Sequence, residues 1–188
     1  MNDHHLILGQ LTDFLSGRMI DDTHDERYRQ KIARLLVLTK GYPQTDILAA
    51  HSVTVQADHK CARVPVTFIC NIDGRAAILI HYGPGSLVTR HRPALALARL
   101  AAPYQIPVVV VTNGETADIL DGRTGKVVAS GLEQIPSHDE LSQILEDWVW
   151  ETIAPERGQK EARIVMAFEV DDRCPCDSTV CRWEQSRK

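Results

Sequence analysis

The stretch that most constrains the fold runs from Arg63 to Gly114 and reads as two β-rich runs, a helix and a further strand. "RVPVTFICNI" and "RAAILIHY" flank Asp73-Gly74, a pair suited to a tight hairpin because both central turn positions need positive φ. "PALALARLAAPYQ" follows, with Leu97, Leu100, Ala101 and Tyr104 at helical spacing. "IPVVVVTNG" is then a continuous apolar run, as expected where helices cover both faces of a parallel sheet. Strand, helix and parallel strand imply a right-handed crossover. The second strand runs into Gly83-Pro84-Gly85, a common place for reactive groups, yet carries neither carboxylate nor lysine.

The flanking sequence extends this unit. "THDERYRQKIARLLVLTKGYP" predicts a helix, since Tyr28, Ile32, Leu35 and Leu36 form one apolar stripe and Gly41 and Pro43 stop it. "LGQLTDFLSG" predicts a short helix ending at Gly17, "HSVTVQA" a half-buried strand and "TADILDGRTGKVVAS" a hairpin. Ser137 to Glu140 form a capping box, with Leu141, Ile144, Leu145 and Trp148 beneath the helix it opens. A second helix starts near Pro155 and runs towards Phe168. The expected class is α/β: a three-layer core, a mixed sheet flanked by helices, in residues 1–131, and a helical extension with a Cys-rich tail in 132–188.

Composition limits the function. No apolar run in the 188 residues approaches the ~20 that a membrane span needs. "MNDHHLILGQLTDF" lacks a basic segment followed by a long apolar one, so a cytoplasmic protein is expected, with its five cysteines as thiols or metal ligands. A net charge of −4 argues against a generic nucleic-acid coat. "TRHRPALALAR" still holds a local basic group, Arg90, Arg92 and Arg99, which reads as a solvated helix start or as contacts to phosphate. "GRTGK" lacks the length and the Ser or Thr of a phosphate-binding loop, so there is no nucleotide-binding motif, and no nucleophile elbow is present.

"ERYRQKIARLLVLTKGYPQTDI", the hairpin, the Gly-Pro-Gly loop and "PVVVVTNG" together resemble the N-terminal domain of type I restriction enzyme R subunits, over about Asp25 to Val128. The resemblance implies a restriction-endonuclease-like fold of the PD-(D/E)xK type. It also implies Mg²⁺ held by an acid on each hairpin strand, with a lysine two positions beyond the second acid. A hard cation needs carboxylate oxygens, and charge building on the scissile phosphate needs compensation. Members read Arg-x-Asp on the first strand and Glu-x-Lys on the second. Aligned on Arg63 and Pro84-Gly85, this chain has Pro65, Ile80 and Tyr82 at those three positions. The resemblance therefore implies a catalytically degenerate nuclease that does not hold Mg²⁺. Relocated acids are the alternative, and Glu26, Asp58, Asp73 and His81 are the residues to examine. His81 by itself reads as a hydrogen-bonded residue at a strand end.

The tail carries the other chemical signal. "RCPCDSTVCRW" places Cys174, Cys176 and Cys181 within eight residues. Clustered thiolates favour a soft or borderline metal, and Cys61 or Cys70 could supply a fourth ligand, although Cys70 also reads as a buried strand residue. The spacing is neither that of zinc ribbons nor the ferredoxin run. Some helicase-associated members of the broader nuclease fold staple their C-terminal segment with a [4Fe–4S] cluster, so the tail reads either as a [4Fe–4S] or Zn²⁺ centre or as free thiols or a redox pair. Three functions follow: a non-catalytic module binding DNA or a larger protein complex, an active endonuclease with relocated acids, or a metal-carrying accessory subunit.

Overall fold

The computed structural model describes residues 6–171 and 181–184. Its centre is a six-stranded mixed sheet whose order is β10-β9-β8-β7-β6-β3. The strands are β3 (Ile47–Ala49), β6 (Phe68–Ile72), β7 (Arg75–Tyr82), β8 (Val108–Thr112), β9 (Ala117–Asp121) and β10 (Val127–Ser130). β7 and β8 are parallel, joined by helix α2 (Val88–Leu100), and the other neighbours are antiparallel. This is the α/β restriction-endonuclease-like architecture expected from the sequence.

Both faces of the sheet are covered, which explains the continuous apolar strands. Ile78, Ile80 and Tyr82 of β7 and Val110 of β8 join one core cluster with Ile32 and Leu36. The latter two come from helix α1 (His24–Arg34) and the π-helical turn Leu35–Thr39 that continues it. Helix α3 (His138–Leu145) adds Leu141 and Leu145 to this face. Leu79, Val109 and Val111 point the other way, into a second cluster with Ala94 to Ala98 of α2. Helix α4 (Pro155–Val165) and its π-helical continuation Met166–Asp171 complete that cluster with Ala162, Val165, Met166 and Val170. A small antiparallel sheet, β11-β5-β4, packs beside it: β4 (Ser52–Ala57), β5 (Lys60–Pro65) and β11 (Cys181–Glu184).

The structure corrects four local expectations. Residues 9–22 form a hairpin, β1 (Gly9–Thr12) and β2 (Met19–Asp22), instead of a short helix. The Asp13 carboxylate takes both the N–H and the hydroxyl of Ser16, and Gly17 at φ +71 turns the chain back, so local side-chain bonding outcompetes helix formation. The first run of the Arg63 unit is split between two sheets. Pro65 ends β5, which pairs with β4 and β11, and Phe68 begins β6, which pairs with β3 and β7. Helix α2 begins at Val88, a turn before Pro93, at the cost of the bond that the missing proline N–H would have made. Ile144 is 57 % exposed, so Leu141 and Leu145, one turn apart, carry the buried stripe of α3. The Ser137–Glu140 capping box, the Asp73-Gly74 hairpin and the β9–β10 turn at "GRTGK" are as expected.

Candidate functional site

A cavity of about 460 Å³ opens at the carboxyl end of β7, between α1, the β1–β2 hairpin and the crossing from β5 to β6. Pro65, Thr67, His81 and Tyr82 line it from the strands, and Asp13, Glu26, Arg29 and Gln30 from the hairpin and helix. α1 delivers its acids here for a local reason: Thr23 caps it by accepting the Glu26 N–H at 3.1 Å, and Asp25 and Glu26 sit where the helix dipole favours negative charge.

Of the three aligned positions, Pro65 and Tyr82 line the cavity and Ile80 does not. Ile80 is fully buried, paired with Phe68 and with Val110 in the sheet centre. Tyr82 is 7 % exposed; its N–H donates to Thr67 Oγ1 at 2.9 Å and its hydroxyl to Asp25 Oδ1 at 2.8 Å. Burial, then the Asp25 carboxylate, push the phenol above its ordinary value, so it stays a donor. Arg29 lies over the Tyr82 ring at 5.8 Å, and the Tyr28 ring stacks on it at 6.0 Å.

The remaining acids at the cavity are engaged. Gln30 Nε2 donates to Asp13 Oδ1 at 2.6 Å and to Glu26 Oε1 at 2.8 Å, while its carbonyl accepts the Phe14 N–H. Glu26 also accepts from Arg29 at 3.1 Å. Burial works to raise the Asp13 carboxyl, but hydrogen bonds from Ser16 and Gln30 outweigh it and hold it below the usual carboxylate range. A divalent ion would have to displace an amide, a hydroxyl and a guanidinium, and it would find no side-chain oxygen donor on Pro65 or Ile80. These residues do not fit Mg²⁺ as the family arrangement holds it. Among the described residues, no group of three or more His, Cys, Asp or Glu is placed to hold a metal.

The relocation residues separate in space. Glu26 and His81 both reach the cavity, from α1 and from β7, whereas the two aspartates do not. Asp73 lies in the turn at the opposite end of β7, and Asp58 in the β4–β5 turn, where Arg163 approaches it at 3.3 Å. His81 is 2 % exposed and comes within 3.3 Å of the equally buried Glu169, without hydrogen-bond alignment. It thus joins β7 to the turn after α4.

The basic group also divides. Arg99 is 6 % exposed and binds Glu161 at 2.7 Å, the Gln105 side chain and the Arg123 carbonyl, so it is withdrawn from solvent ligands. Arg92 meets the same Glu161 at 2.5 Å. Arg90 donates to the Pro84 carbonyl and lies so close that any side chain on Gly83 would collide with its guanidinium. The Gly-Pro-Gly loop is therefore the seat of an arginine of α2. Cys61 and Cys70 are buried thiols, and Cys70 is pushed up to about 12 by burial. Cys174 and Cys176 lie outside the described residues. Cys181 begins β11, opposite Arg63, two ladder positions from the Trp183–Cys61 pair.

Asp13, Asp25, Gln30 and Glu161 were not singled out from the sequence. Only the capping pattern at Thr23 hints at α1's acids; the others look like ordinary polar positions of a helix or loop.

The family model of the type I restriction enzyme R protein N terminus (HSDR_N) matches residues 24–136. The chain belongs to that family. The match spans α1 to the turn before α3, and so includes the α1 and strand walls of the cavity, the Gly-Pro-Gly loop and the whole six-stranded sheet. The β1–β2 hairpin, which brings Asp13, and α4, which brings Glu161, lie beyond it. No curated protein and no solved structure matches the chain. Among the described residues, no helix is long and apolar enough to cross a membrane.

Proposed function

We propose that this member of the R-subunit N-terminal family is a non-catalytic, nuclease-like module that docks to DNA or to a protein assembly acting on DNA. The observation that carries the reading is the donor set at the end of β7. Pro65, Ile80 and Tyr82 stand where the family pattern has two acids and a lysine, and the nearby carboxylates are held by Gln30, Ser16, Arg29 and the Tyr82 hydroxyl. An inner shell for a divalent ion accounts for most of the transition-state stabilisation in such nucleases, and this site has no equivalent. Supercoiled plasmid incubated with the protein and Mg²⁺ or Mn²⁺ tests it. No nicking is expected; nicking abolished by Glu26→Ala would establish the relocated-acid endonuclease instead. Gel-shift titration across salt then separates DNA from protein docking, since phosphate contacts weaken steeply with salt.

A second reading concerns the tail, a [4Fe–4S] or Zn²⁺ centre on Cys174, Cys176 and Cys181. The β11–β5 pairing favours Cys61 over Cys70 as its upstream ligand, because the ladder brings Cys181 beside the strand of Cys61. Cys70 lies on β6, in the core cluster under α1, with its thiol protonated. Metal analysis and the visible spectrum of anaerobically purified protein, against Cys61→Ser and Cys181→Ser, test this. Metal retained by both variants would eliminate it.

A further inference from the structure

α1 turns an exposed stripe outward: Arg27, Lys31, Arg34 and, on the π-helical turn beyond, Leu38. Between this stripe and the short 3₁₀ turn Leu132–Gln134 runs a groove of about 430 Å³, on the side of α1 away from the β7 cavity. Its floor is apolar, formed by Leu35, Leu132 and Leu38, the last 70 % exposed. Its rim is cationic. Lys31 and Arg34 line it, Lys31 donating to the Gly114 carbonyl at 2.9 Å and Arg34 lying over the Phe14 ring at 4.7 Å; Lys40, just outside the lining, donates to the carbonyl of the lining residue Glu133 at 2.6 Å. Among the described residues none of the three forms an ion pair with a carboxylate, although Lys40 feels the charge of Glu140. Arg27 differs, because Asp22 holds it in a paired bond at 2.7 Å. Glu133 is the acid on the lining.

Three cations with carbonyl or ring partners around an apolar floor ask for a ligand that is anionic and apolar together. A phosphate backbone satisfies the rim but gains nothing from Leu35, Leu38 and Leu132. An amphipathic protein segment carrying Glu or Asp beside Leu satisfies both, since the leucines remove Leu38 from water while the acids meet Lys31 and Arg34. We infer that this groove docks an acidic amphipathic helix of a protein partner. The inference rests on the docking-module reading, but the groove lies outside the β7 cavity. Plasmid nicking would therefore overturn the non-catalytic reading and leave the groove in place.

The probe is a fluorescein-labelled helical peptide of repeated Leu-Glu-Glu-Leu, with a Leu-Lys-Lys-Leu peptide and a labelled DNA duplex as comparisons, read by fluorescence anisotropy at low and high salt. The full chain should bind the acidic peptide selectively. Lys31→Glu with Arg34→Glu should weaken it about tenfold at low salt, and Leu38→Asn should weaken it severalfold at both salts. Leu38 is exposed, so the Asn variant keeps the fold, and thermal melting of each variant verifies that. Equal binding by wild type and the charge-reversal variant, no binding by the acidic peptide, or loss of duplex binding alone in that variant would each overturn the inference.

Discussion

The hydroxyl of Tyr82 donates a 2.8 Å hydrogen bond to Asp25, linking the carboxyl end of β7 to the first turn of α1. The bond fastens the helix to the sheet. Tyr82→Phe should therefore lower stability by about 1 kcal/mol, the usual net value of one such bond, and leave plasmid integrity in Mg²⁺ unchanged. Urea denaturation and a nicking assay on the same preparation check both halves.

Glu161 meets more arginines than any other carboxylate among the described residues. It is 2 % exposed, meets Arg99 at 2.7 Å and Arg92 at 2.5 Å, and has Arg157 at 3.7 Å. Glu161→Gln leaves the buried Arg99 without its counter-charge and should cost about 3 kcal/mol, whereas Arg157→Gln, at an exposed side chain, should cost less than about 1. Replacing both buried partners by Met should recover much of the loss. Chemical denaturation of the three variants measures the difference.

Ser137 and Glu140 cap α3 reciprocally, and hydrogen bonds from the Ser137 backbone and side chain hold the Glu140 carboxyl below its ordinary 4.5. A depressed folded-state value means that the contribution is present above about pH 4.5 and fades as the pH falls through the lower, folded value. Ser137→Ala should cost about 1 kcal/mol at neutral pH. Glu140→Gln should be less stable than wild type at neutral pH, with the gap closing in acid. Melting curves at neutral and acid pH report it.

Cys70 is fully buried on β6, and its thiol is pushed up to about 12. Since the thiolate is the reactive form, iodoacetamide at mildly alkaline pH should leave Cys70 unmodified in the native protein and alkylate it in urea. Peptide mapping by mass spectrometry reads the modification directly; native-state alkylation of Cys70 would contradict the burial.

The sequence alone determined the local elements: α1 from its apolar stripe, the β6–β7 hairpin from Asp73-Gly74, β8 from its unbroken valines and the α3 start from its capping box. Each depends on spacing within one or two turns of chain, which neighbours cannot easily override. It also determined that Pro65, Ile80 and Tyr82 supply no carboxylate. It misread 8–17 as a helix, where an Asp13–Ser16 turn defeats the helical spacing, and it ran β5 and β6 together, because an extended run does not disclose which sheet each half will join. Only the tertiary structure decided what the charged residues do. Tyr82 and Asp25 are 57 residues apart and Arg99 and Glu161 are 62 apart, so no spacing rule couples them. Packing decides such pairs, because a charge taken out of water needs a partner wherever the chain happens to bring one.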